Sequence, residues 1–355
     1  LQQLVDLSVF PDSYISARAR FRAEADHIGA RRDTLAIEGE GPQGESLTTD
    51  IAWLGSAEPR SVLLHSSGLH GVEGFAGSAI QTALLANPPR LKPGVALVLV
   101  HCLNPYGMAW LRRVNEHNVD LNRNSPRDGF GGVYPQYAEL DPFLNPPSPP
   151  THDGYYRDAL RAILRYGYRA VRQGIAAGQY EFPRGLFYGG AALEPGLAGY
   201  RDWLSTELGG TNAVMAVDVH TGLGWWGRQA LFLEGFRDGK LAASVRVSLG
   251  RRLRRVSTEP ASYKVNGGLV ALLEKTLHRP ALAFLTEEFG TYNTLRVLHA
   301  LREENRWHHF GEATLEHAAK TGIREMFCPA SEHWRQKVLH QGVALAQRLV
   351  DTVLI

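Results

Sequence analysis

The chain has 355 residues, 44% of them hydrophobic and 21% charged, and its formal net charge is +2. That composition belongs to a globular protein with a sizeable core, and a charge so nearly balanced gives no reason to expect a nucleic acid or a membrane as partner. Cys102 and Cys328 are too few for a disulfide scaffold and allow one bridge at most.

No apolar run reaches the length of a membrane span, and the first thirty residues are amphipathic rather than signal-like. The expectation is a soluble, cytoplasmic protein forming one catalytic domain over residues 1–355, with a removed leader left open because Leu1 is not Met. In chain order, Tyr14, Ala17, Phe21, Ala23 and Ala25 recur at near-helical spacing and predict a first helix from Pro11 to Arg31. Strands at Leu35 to Glu40 and Leu47 to Leu54 flank the turn Gly41-Pro-Gln-Gly44 and predict an edge hairpin. Ser61 to His65 is a buried strand, Val72 to Leu85 a helix, and Val95 to Cys102 a second buried strand. Ser125 to Asp153, rich in Pro, Gly and Asp, predicts an irregular functional loop.

Helices are expected over Tyr155 to Ala177, Pro195 to Leu208 and Lys240 to Leu253, with strands at Ala213 to Val219, Gln229 to Leu233 and Ala281 to Glu288. From Asn293 the pattern is helical to the end. Strands alternating with helices at this density predict an α/β fold: a mixed, mainly parallel twisted sheet between two layers of helices.

In such sheets ligands bind beyond the carboxyl ends of the strands. Leu63 to Gly77 breaks from an apolar run into a Gly-rich turn that carries His70 and Glu73 three positions apart, one helical step, facing one way. By itself such a pair is more often the polar cap of a helix. A catalytic zinc ion takes about three nitrogen or oxygen ligands from the protein and keeps a position open. His220, at the end of another predicted strand, supplies the third, and Glu287 or Glu288, at the end of the last strand, a separate general base.

Six motifs then extend the pattern: His70-Gly-Val-Glu73, Asn104-Pro-Tyr-Gly107, Val119-Asp-Leu-Asn-Arg-Asn124, Asp218-Val-His220, Tyr263-Lys-Val-Asn-Gly-Gly268 and Glu288-Phe-Gly290. Together, over Val62 to Tyr292, they resemble the zinc carboxypeptidases of the funnelin type and their deacylase relatives, the aspartoacylases and succinylglutamate desuccinylases. The resemblance implies one zinc ion on His70, Glu73 and His220, with Asp120 orienting the first histidine. Asp218, two along the same strand as His220, either serves that histidine in the same way or is solvated. It implies Glu288 as the proton-transferring carboxylate, with Glu287 as the alternative, and Arg113, with Arg112 as the alternative, at the developing oxyanion. Asn122 and Arg123 match the pair that grips a substrate carboxylate, Tyr263 a tyrosine that closes over it, and Val270 a position lining an apolar specificity pocket. His65 and His101, on neighbouring strands, are read as packing residues, with a second metal as the minor alternative. The implied activity is hydrolysis of an amide next to a free carboxylate in a small peptide. The alternatives are deacylation of an N-acyl amino acid and, from another class, non-catalytic binding of carboxylates.

Overall fold

The computed structural model describes residues 6–133, 135–237, 239–254 and 267–352. Helix α1 (Tyr14–His27) starts at Ser13, whose side chain accepts from the Ser16 N–H in a capping box, and it stops before Gly29, at φ 67°. It is therefore shorter at both ends than the apolar spacing alone predicts. The hairpin of β1 (Arg31–Glu40) and β2 (Ser46–Gly55) follows, then β3 (Ser61–Ser67), α2 (Gly74–Ala86) and β4 (Val95–His101). After the short α3 (Pro105–Ala109) comes α4 (Pro135–Leu144), within the stretch expected to be irregular. Tyr137, Leu140 and Leu144 explain it: spaced three and four apart, they bury one face in an apolar cluster.

The single helix expected over Tyr155 to Ala177 is two, α5 (Tyr155–Tyr166) and α6 (Tyr168–Ala176), because Gly167 between them adopts φ 82° and ψ 144°. That conformation ends a helix and suits only glycine. Then come α7 (Pro195–Leu208), β5 (Ala213–Gly222), β6 (Gln229–Phe236), α8 (Gly239–Leu249), the two-residue β7 (Leu253–Arg254), α9 (Leu269–Thr276) and β8 (Ala281–Gly290). The tail is three helices rather than one: α10 (Thr294–Phe310), α11 (Ala318–Phe327) and α12 (Glu332–Thr352).

The eight strands form one sheet in the order β1-β2-β4-β3-β5-β8-β6-β7, with β4, β3, β5 and β8 mutually parallel at its centre. Strand periodicity of two sorts their side chains cleanly. Leu63, Leu97, Met215, Val217 and Leu285 join one apolar cluster with α1, α2 and α12, whereas Val62, Leu64, Val98, Ala216 and Phe284 join another with α7 and α9. This is the expected three-layer α/β architecture. Cys102 and Cys328 are buried and unbridged, so the optional disulfide is absent. No described helix is long and apolar enough to cross a membrane.

Candidate metal centre and its cavity

Gly68, at φ 65°, turns the chain sharply at the end of β3, and a Cβ there would sit 2.3 Å from the Cys102 sulfur. Only glycine fits. The next residues make a 3-10 turn, Gly71–Glu73, ahead of α2 rather than the helix's own first turn. Its donors are held by a neighbouring loop: the Gly71 N–H donates to the Arg113 carbonyl (3.1 Å) and the Val72 N–H to the Arg112 carbonyl (2.8 Å). His70 and Glu73 are thereby fixed on one side, both almost fully buried.

His220 reaches them from β5. Its Nδ1 lies 3.2 Å from Nδ1 of His70 and 3.1 Å from Oε2 of Glu73, while Nδ1 of His70 is 2.9 Å from Oε1 of Glu73. Two donors each about 2.1 Å from one tetrahedral ion are separated by about 3.4 Å. The three side chains therefore present nitrogen, nitrogen and oxygen at nearly the spacing a zinc ion requires, and the donor set fits. The remaining ring nitrogens are supported alike: Nε2 of His70 is 3.1 Å from Oδ1 of Asp120, and Nε2 of His220 is 2.7 Å from Oδ2 of Asp218. Asp218 in turn accepts from Ser66 Oγ at 2.6 Å.

The charges reinforce this placement. Burial raises the Asp120 pKa, but Arg123, Arg113 and His70 outweigh it and hold the carboxyl well below its usual range. Burial likewise opposes ionisation of Glu73, yet His70 and His220 keep it anionic. For His220, the loss of solvation is overcome by Asp218 and Glu73, which lift its pKa well above normal. A site so rich in negative charge favours cations.

The general-base candidates separate by sheet face. His220 and Glu288 are register partners on adjacent parallel strands, so their side chains share a face and both line one cavity. Glu288 accepts the Leu223 N–H at 2.9 Å, and burial, then Glu73, push its pKa up to about 8. Glu287 points the other way: its Oε1 accepts from Gln229 Nε2, and it does not line the cavity.

The arginines depart from expectation. Arg113 touches the centre, with NH1 at 3.0 Å from Glu73 Oε1 and Nε at 3.1 Å from Asp120 Oδ2. Arg112 turns away into a buried network with Glu304 (2.9 Å) and Asn118 (2.9 Å), which removes it as a substitute. Arg123 corrects the sequence reading: it is fully buried, donates to the carbonyls of Ala176 (2.6 Å) and Asn122 (3.2 Å), and is not on the cavity wall. Its guanidinium packs over Phe187, and Gly178 leaves room for its stem. Asn122 does line the cavity, its Oδ1 accepting the Leu269 N–H at 3.3 Å. Tyr263 lies outside the described residues.

The cavity holds about 650 Å³, within the range of about 300–1,000 Å³ typical of small-molecule sites. Beyond the polar centre its wall is apolar, formed by Ile163, Val171, Ile175, Phe232, Val270 and Leu301 among others. Val270 is thus on the wall, as expected. Arg127 and Arg172 also line it and went unrecognised in the sequence. No local signal separates Arg172 from the exposed Arg169 of the same helix, because a charge following an apolar residue is the ordinary pattern of an amphipathic helix. His65 and His101 lie on the opposite face, near Gln81 and Ser78 of α2, and burial lowers both to about 4. They join no group of three ligands among the described residues, so the optional second metal has no site there.

The chain belongs to the family described as "Protein of unknown function (DUF2817)", whose model matches residues 10–341. No curated protein matches it in sequence. Among solved structures it is similar to carboxypeptidase A from Helicoverpa armigera, at 14% identity over 94% of this chain and 74% of that one, with a TM-score of 0.43. It is similar also to murein-tripeptide amidase from Escherichia coli O157, at 18% identity over 81% and 96%, TM-score 0.40. A third is a metallo-carboxypeptidase from Pseudomonas aeruginosa, at 14% over 92% and 68%, TM-score 0.41.

Proposed function

We propose that the protein is a zinc-dependent hydrolase that cleaves an amide bond next to a free carboxylate, in a small peptide. The observation that carries this reading is the convergence of His70, Glu73 and His220, donor atoms 2.9–3.2 Å apart, on the cavity that Glu288 also lines. His70, Glu73 and His220 would hold the ion. When bound, zinc polarises a carbonyl and lowers the pKa of water. Asp120 and Asp218 orient the two imidazoles. Glu288 takes the proton from the attacking water and delivers it to the nitrogen as the carbon–nitrogen bond breaks. Arg113 stands beside Glu73 to receive the charge that develops on the carbonyl oxygen. With Arg123 committed to backbone carbonyls, Asn122 with Arg172 or Arg127 is left to bind the substrate carboxylate.

The apolar wall gives a second reading a specific basis: an N-acyl amino acid whose acyl chain lies along Val171, Ile175 and Leu301. A panel of dipeptides, carboxyl-amidated dipeptides and N-acyl amino acids tests both. Turnover that requires zinc and a free carboxylate supports the proposal; turnover falling as a peptide replaces the acyl group selects the deacylase; activity surviving exhaustive chelation rejects both.

A further inference from the structure

The overall charge of +2 hides a local concentration on α5. Tyr155, Ala159 and Ala162 are buried, while Tyr156, Leu160 and Leu164 are 57%, 56% and 76% exposed. At about 100° per residue these last three span a sector of about 80°, and Arg157, Arg161 and Arg165 fill the sector beside it. All three arginines are exposed, and only Asp158 offsets them on the helix, at 3.0 Å from both Arg157 and Arg161. Glu139 of α4 approaches Arg165 at 3.7 Å. Such exposed pairs are weak and leave the guanidinium groups available to other anions. The other flank of the apolar sector carries Ile163, which lines the cavity, and Tyr168, beyond the Gly167 break, is both exposed and on its wall.

We propose that this outer face of α5 docks the protein on an anionic lipid surface. An exposed stripe of tyrosine and leucine edged by arginine matches the headgroup boundary of a bilayer, where rings and aliphatic chains enter the acyl region and cations meet phosphates. Pairing α5 with a second copy of itself would crowd two arginine rows together, so charge complementarity favours the anionic bilayer. Trp225, 81% exposed and next to the wall residue Gly224, offers a further anchor at the same cavity. The docking rests on the helix and is independent of the hydrolase reading.

Flotation of the full chain with vesicles of phosphatidylglycerol and phosphatidylcholine, against phosphatidylcholine alone, tests it. The expected result is binding to the anionic vesicles only, weakened by salt and reduced about tenfold or more both in Leu160→Ser/Leu164→Ser and in Arg157→Glu/Arg161→Glu/Arg165→Glu. Unfolding curves of both variants establish that they remain folded, as surface changes should. Failure to bind anionic vesicles, binding undiminished in both folded variants, or a concentration-dependent dimer abolished by Leu160→Ser/Leu164→Ser in place of vesicle binding would each overturn the proposal.

Discussion

Arg112 and Arg113 are consecutive, yet one joins a buried network with Glu304 and the other touches Glu73, Asp120 and His70. Nε2 of His70 is 2.7 Å from Arg113 NH2 as well as 3.1 Å from Asp120, and it cannot accept from one and donate to the other at once. A lone pair on Nδ1, the atom facing Glu73 and His220, requires the proton on Nε2 and selects Asp120 as its partner. Asp120→Asn is therefore expected to weaken zinc affinity about 10- to 100-fold, read by competition with a chromophoric chelator. Glu288→Gln is expected to retain the metal and lower kcat by about a hundredfold or more, measured alongside zinc content. The convergence of His70, Glu73 and His220 is legible because their spacing and strand-end positions follow from local geometry. Arg123 was not: its motif matches a substrate-gripping pair, but its direction depends on Gly178 and Ala176, more than fifty residues on, which no local pattern reveals.

Element boundaries obey the same distinction. The central strands were legible because their apolar runs are buried on both faces, and the break at Gly167 was missed because apolar spacing continues across it while the backbone does not. The turn at Gly71–Glu73 is held by the loop of Arg112 and Arg113 and touches α3 closely: a Cβ on Gly71 would lie 2.1 Å from the backbone carbon of Gly107. Backbone cannot yield as a side chain tip would. Gly71→Ala is thus expected to cost about 1–3 kcal/mol or more, seen in urea unfolding, together with weaker zinc binding because the turn carries both His70 and Glu73. Loss of stability with metal affinity unchanged would show that the turn does not position the ligands.

For the whole molecule, the sheet order brings β3, β5 and β8 side by side, so residues distant in sequence meet at one edge, with Glu288 facing the cavity and Glu287 facing the opposite helix layer. Burial raises Glu287 from 4.5 to about 8, with Gln229 partly opposing it. Because its folded pKa is the higher one, the stability it contributes is full below about 4.5 and is lost as pH rises to about 8. Glu287→Gln removes that dependence, so its stability relative to the native chain should improve by roughly 2 kcal/mol between pH 5 and pH 7, measured from urea midpoints at the two values. An unchanged difference would place the carboxyl in contact with solvent or a cation.

The central claim is that two imidazoles and a carboxylate, carried by the turn after β3 and by β5, bind one cation, and metal analysis of the purified chain tests it most directly. The expected result is one zinc ion per chain, lost together with hydrolysis and some thermal stability on chelation, restored by zinc, and absent from His70→Ala and His220→Ala. Full activity without metal, or an undiminished zinc content in those two variants, would contradict it.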